Sequence, residues 1–84
     1  MRPDRRESLL FYVEMTVQIL WNDKRPGDLS DIAANVVKVE GPFRRDHPVT
    51  IRPHVAAALR TLKRKGRATY VRKRGWVPGR PVPR

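Results

Sequence analysis

The segment that most constrains the fold is residues 5–22, which has helical apolar spacing over its whole length. At 100° per residue, one helical face collects the side chains that we expect in the core, namely Leu9, Leu10, Val13, Thr16, Val17, Leu20 and Trp21. The opposite side is also apolar, with Phe11, Tyr12, Met15 and Ile19. A helix that is apolar nearly all round needs packing partners on two sides. We therefore expect either the C-terminal part of the chain or a second copy to pack over it.

Two capping patterns predict where the first helices begin. Asp4 and Glu7 have the spacing of a capping box at the start of helix 1, and Asp28 and Asp31 repeat it before a second helix over about residues 29–39. The sequence Gly41-Pro42 ends helix 2, and we interpret residues 43–48 as a polar connection.

Helix 3 is predicted from the apolar pattern of residues 55–65, with Gly66 as a left-handed C-terminal cap. Thr50 can cap its first turn, in which Pro53 is tolerated because first-turn amides have no partner inside the helix. Arg52 precedes a proline and is therefore biased toward an extended conformation, so a start at Pro53 is the alternative.

A basic β-hairpin is predicted to follow helix 3. Residues 68–72 form its first strand, residues 73–75 its turn and residues 76–77 its second strand, which Pro78 stops. We expect Trp76 to hold the hairpin against helix 1. The predicted domain thus spans residues 5–78, between an N-terminal arm of residues 1–4 and a basic, proline-rich tail of residues 79–84.

The size of the chain limits it to one small core. Its 84 residues make a single domain, and with no cysteine neither a disulfide nor a cysteine-based zinc site can supplement that core. We expect no signal peptide and no membrane span, because the apolar run after residue 8 is short and is interrupted by Glu14. The expectation is a soluble protein, cytoplasmic or nucleoid-associated, or nuclear in a eukaryote.

The charges are segregated along the chain. Residues 1–46 hold eight basic and eight acidic side chains, so the net charge of +11 belongs entirely to residues 47–84, which contain no Asp or Glu. A surface with so many like charges repels itself unless a polyanion neutralises it. The segregation therefore favours a nucleic acid as the partner.

The element order and four short sequence stretches resemble a known family. Residues 29–33, residues 55–66 and the pairs Tyr70-Val71 and Gly75-Trp76 are similar to winged helix-turn-helix domains, particularly the HARE-HTH type, and more distantly to the globular domain of linker histones. The resemblance covers about residues 7–78. It implies an α+β fold of three helices followed by a two-stranded wing, with helix 3 in the major groove of double-stranded DNA and the wing on the backbone or minor groove.

The predicted nucleic-acid contacts lie on helix 3, in the hairpin and in the tail. On helix 3, Ala57 allows a close approach to the groove wall, and Arg60 is the side chain best placed to fork onto a guanine edge. Cations of the hairpin turn can follow phosphates or enter a narrow minor groove. The full set is Thr50, Arg52, Ala57, Arg60, Lys63, Arg64, Arg67, Arg72, Lys73, Arg74 and Arg80.

The sequence does not favour an enzyme. His47 and His54 are seven residues apart without a carboxylate at metal-ligand spacing, no phosphate-binding glycine loop is present, and we expect neither a metal nor a cofactor. Two other functions stay open, an RNA-binding or ribosome-associated module and a protein-interaction adaptor that uses the second apolar face of helix 1. The same face predicts a homodimer through Phe11, Met15 and Ile19.

Overall fold

The structure is a computed structural model that describes residues 5–39 and 41–79. Helix α1 spans Arg5–Asn22, α2 spans Leu29–Lys38 and α3 spans Pro48–Arg64. Strands β1 (Ala68–Val71) and β2 (Gly75–Pro78) form an antiparallel hairpin in which Thr69 pairs with Val77 and Tyr70 with Trp76. The α+β order predicted from the sequence, three helices and then a hairpin, is confirmed. The predicted arm, its Asp4 cap and residues 80–84 of the predicted tail lie outside the described residues.

One core is built from all three helices and closed by the hairpin. Its buried members come mainly from the predicted faces, and they are Leu9, Val13, Val17, Leu20, Ile32, Ala33, Val36, Phe43, Ile51, Val55, Ala58, Leu59, Leu62 and Ala68. Asp28 caps α2 as predicted, since its side chain accepts a hydrogen bond of 2.8 Å from the Asp31 amide. Trp21, predicted on the core face of α1, is 42% exposed, because it lies at the edge of that face, 100° round the helix from Leu20, in the last turn.

The connection between α2 and α3 is not the polar linker that the sequence predicted. Phe43 is 1% exposed and is among the largest fully buried side chains. Its ring meets Tyr12 edge-on, with 5.8 Å between ring centroids, so the connection covers part of the second apolar side of α1, which the sequence assigned to the C-terminal part of the chain or to a second copy. Part of the second cover of α1 thus comes from a segment between two helices.

Helix α3 begins earlier than predicted. His47, not Thr50 or Pro53, is the N-cap, and its Nδ1 accepts a hydrogen bond of 3.1 Å from the Val49 amide. Pro48 is the first helical residue, where a missing amide costs nothing. Arg52 is helical although it precedes Pro53, because the flanking Ile51 and Val55 are buried and hold this turn in the core. Gly66 has φ +75°, as predicted for a C-terminal cap.

The hairpin is shifted slightly from its predicted bounds. Arg72 belongs to the turn and not to β1. Pro78 is the last residue of β2 and not the first residue after it. Trp76 exchanges two backbone hydrogen bonds with Gly27, of 2.7 Å and 3.1 Å, so the turn after α1 adds a one-residue bridge on the outer side of β2. Gly75 has φ +129°, and a Cβ there would lie 2.6 Å from the Gly27 carbonyl oxygen. A glycine at this position therefore permits the close approach of the two segments.

Strand β2 joins the hairpin to α1, although not through Trp76 alone. Val77 is the buried apolar side chain of β2, whereas Trp76 is half-buried and packs against the core. In the described residues, no helix has the length and apolar content needed to cross a membrane.

Candidate nucleic-acid interface

Helix α3 presents a small and basic surface to solvent. Its buried side chains, among them Ile51, Val55 and Leu59, face α1 and α2. The opposite side, here called the outer face of α3, consists of Pro53, Ala57, Arg60 and Arg64, all of them exposed. This is the face that the sequence assigned to the major groove, and the packing of α3 leaves it uncovered by the described residues.

Two predicted contacts also border a groove beside that face. A groove of about 470 Å³ lies between α3 and the N-terminal half of α1, and its lining includes Thr50, His54 and Ala57. Its walls are largely apolar, from side chains such as Leu9 and Phe43. Thr50 and Ala57 therefore lie toward the α1 side of α3, whereas Arg60 does not line this groove.

The turn of the hairpin carries three consecutive cations. Arg72, Lys73 and Arg74, here called the hairpin tip, are all exposed. The Arg74 amide donates a hydrogen bond of 2.9 Å to the Val71 carbonyl, and Lys73 adopts φ +67°. Since three like charges on one tight turn repel each other, this arrangement is stabilised when an anion lies against the turn.

The other predicted nucleic-acid contacts differ from one another in exposure and in hydrogen-bond partners. Arg67 donates from Nε to Glu14 of α1 at 2.9 Å, so this cation is already paired. Arg52 is half-buried, and its buried Nε has no hydrogen-bond partner among the described residues. Lys63 is exposed, and Arg64 leans toward Thr61 with 3.4 Å from its guanidinium nitrogen to the hydroxyl oxygen. Arg80 lies outside the described residues.

The segregation of positive charge described from the sequence is also present in the folded structure. From the start of α3 to the end of β2, residues 48–78, there is no carboxylate, and the cations are Arg52, Arg60, Lys63, Arg64, Lys65, Arg67, Arg72, Lys73 and Arg74. Among the described residues, Glu14 is the one acidic side chain within hydrogen-bonding distance of these cations. Most of the positive charge is therefore available to a polyanion.

Sequence reasoning left one feature of the hairpin unassigned. The rings of Tyr70 and Trp76 lie 5.3 Å apart between centroids and are tilted by 59°. Tyr70 is 50% exposed and Trp76 is half-buried. The turn occupies residues 72–74, one residue earlier than predicted, and the resulting register brings the two rings together, so a correct turn position would have predicted the pair.

The predicted dimer residues form an incomplete apolar stripe on α1. Phe11 is 61% and Ile19 48% exposed, whereas Met15 between them is half-buried. Tyr12, on the same side in the sequence pattern, packs against the core. The exposed apolar surface of α1 is thus smaller than the pattern predicted.

Three helices followed by an antiparallel hairpin place this chain in the α+β class with winged-helix topology. No protein-family model, curated protein or solved structure matches the chain. No group of three or more His, Asp or Glu side chains that could hold a metal ion occurs within residues 5–39 and 41–79.

Proposed function

We propose that this protein binds double-stranded DNA, with the outer face of α3 in the major groove and the hairpin tip on the phosphate backbone or in the minor groove. The observation that carries the proposal is the uncovered, acid-free basic surface of α3 and the hairpin. The resemblance to HARE-HTH domains adds to it. A role in transcription regulation or DNA architecture, in the cytoplasm, nucleoid or nucleus, follows from the same proposal.

The side chains divide into two kinds of contact. On α3, Ala57 is small enough for close approach, and the Arg60 guanidinium can donate two parallel hydrogen bonds to a guanine edge. The hairpin tip supplies charge without base recognition where its cations contact phosphates, because phosphate contacts fix position and carry no sequence information. Affinity is therefore expected to come mainly from phosphate contacts, and discrimination between sequences from Arg60.

The test is the affinity for a short DNA duplex over a series of salt concentrations. Six to ten phosphate contacts predict that log K falls with log salt at a slope of about −5 to −9, because each contact releases condensed counterions. Fluorescence anisotropy of a labelled duplex measures this slope. Absence of binding at low salt, or an affinity that does not change with salt, would rule the proposal out.

RNA is the other polymer that a basic winged helix can hold, since phosphate contacts are common to both. Competition between the duplex and a structured RNA of equal length separates the two. Preferential displacement of the duplex by RNA would replace the DNA proposal with an RNA-binding one.

A homodimer through α1 remains a proposal of its own. Phe11 and Ile19 would pair with the same residues of a second copy and place two α3 helices on successive half-sites. We expect sedimentation equilibrium to show a dimer at high micromolar concentration and Phe11→Asp to return it to a monomer. A monomer throughout that range would exclude the dimer and leave a protein-interaction adaptor as the alternative use of the stripe.

A further inference from the structure

We infer that the face of the hairpin formed by Tyr70 and Trp76 is a stacking site for an unpaired nucleobase, so that the protein prefers duplexes with a single-stranded extension over blunt ones. The inference rests on the proposed function, since it assumes that the hairpin tip holds DNA. It assigns the base to the exposed ring of Tyr70 and the adjoining phosphates to the hairpin tip.

The backbone pairing holds the two rings in contact. Trp76 directs its amide and carbonyl to Gly27, so it makes no hydrogen bond to β1, and Tyr70 and Trp76 form a non-hydrogen-bonded cross-strand pair. Side chains of such pairs approach each other most closely. The ring contact therefore follows from the register of the hairpin and does not depend on a ligand.

Trp76 supports Tyr70 from the protein side. It packs against the core from a half-buried position, and the Gly27 bridge fixes its backbone. Tyr70 leans on it and keeps half of its surface in solvent. The 59° tilt leaves no parallel slot between the rings, so a base stacks on the outer side of Tyr70 and does not insert between them. A ring held in this way loses little conformational freedom on binding.

The charge around the pair selects a nucleic acid over other aromatic ligands. Arg72 follows Tyr70 by two residues and Arg74 precedes Trp76 by two, which is a separation of about 7 Å along a strand. A nucleotide whose base lies on Tyr70 therefore has its phosphates within reach of the hairpin tip. Aromatic rings beside a cationic track are the arrangement by which proteins bind single strands without strong sequence preference. In a blunt duplex the bases are paired and stacked on each other, so only a single-stranded extension supplies an unpaired base.

The experiment compares a blunt duplex with the same duplex carrying a short single-stranded extension. We expect the protein to bind the extended duplex about tenfold more tightly. Tyr70→Ala should remove this difference, and Tyr70→Phe should keep it because the ring is retained. Trp21→Ala is the control, since it deletes another exposed ring, 42% exposed, that lies on α1 and belongs to neither the hairpin nor the proposed dimer stripe. It should leave the ratio of the two affinities unchanged.

A second readout places the base itself. A fluorescent adenine analogue in the extension should be quenched by the native protein and by Tyr70→Phe but not by Tyr70→Ala, and circular dichroism shows that the variants are folded. Equal affinity of the native protein for both duplexes, or a preference that survives Tyr70→Ala, overturns the stacking site while the duplex-binding proposal stands. In a third titration with the free single strand, binding to that strand but not to the blunt duplex supports the site and removes the duplex proposal. Binding to neither DNA removes both.

Discussion

Reversing the charge of the hairpin tip, with Arg72→Glu, Lys73→Glu and Arg74→Glu, should lower the affinity for duplex DNA at least about a thousandfold at low salt. This loss of affinity corresponds to about 4 kcal/mol. Each substitution removes a phosphate contact and places a carboxylate beside the phosphate, and like charges at an interface are strongly repulsive. The slope of log K against log salt should also become shallower by about 3, because three counterion-releasing contacts are lost. Anisotropy titrations of the native and reversed proteins measure both quantities.

The control for this prediction is a second triple reversal with the same change in net charge. Lys24, Arg25 and Arg45 are exposed cations outside α3 and the hairpin, so their replacement by Glu tests the effect of total charge alone. We expect a smaller loss of affinity and a nearly unchanged salt slope. If the two triple variants weaken binding equally, the hairpin is not a specific contact and only the overall charge attracts DNA.

Phe43→Ala should destabilise the domain by about 3–5 kcal/mol, which is the usual cost of deleting a fully buried ring. Phe43 is 1% exposed and its ring meets Tyr12 edge-on. A domain of this length has a free energy of unfolding of only about 4–13 kcal/mol at typical values per residue. The variant should therefore be largely unfolded or melt far below the native protein. Urea denaturation followed by circular dichroism measures the difference.

Phe11→Ala is the matched control for Phe43, since it deletes the same kind of ring from a second aromatic contact of Tyr12. The Phe11–Tyr12 contact is also edge-on, at 5.4 Å against 5.8 Å for Phe43, but Phe11 is 61% exposed. Both rings meet Tyr12 edge-on, and they differ strongly in burial. We expect Phe11→Ala to cost less than about 1 kcal/mol. Equal destabilisation by the two substitutions would contradict the placement of Phe43 in the core.

The beginning of α3 shows how packing overrides a local signal. The sequence pointed to Thr50 as a capping residue, or to a start at Pro53 because a residue before proline avoids the helical region. The helix nonetheless runs through Arg52 and begins at Pro48, since Ile51 and Val55 are buried together and His47 supplies a cap. A propensity of this kind is a weak bias, and burial of two branched side chains outweighs it.

The groups that sequence reasoning missed depend on contacts between distant segments. Phe43 was assigned to a polar connection because its neighbours are charged, and only the surface of α1 opposite it makes the site apolar. The Gly27–Trp76 bridge and the Arg67–Glu14 pair likewise join segments that are far apart in sequence. No periodicity within one segment carries information about such contacts.

The sequence by itself determined the order of the elements, the cap of α2, the left-handed turn at Gly66 and the concentration of positive charge in the C-terminal half. Each of these follows from side chains within a few residues of each other, or from composition. Only the tertiary structure decided that Phe43 closes the core over α1 and that Tyr70 rests on Trp76 beside the hairpin tip. The reason is that burial and cross-strand contact are set by which surfaces come to face each other, and that is a property of the packed chain.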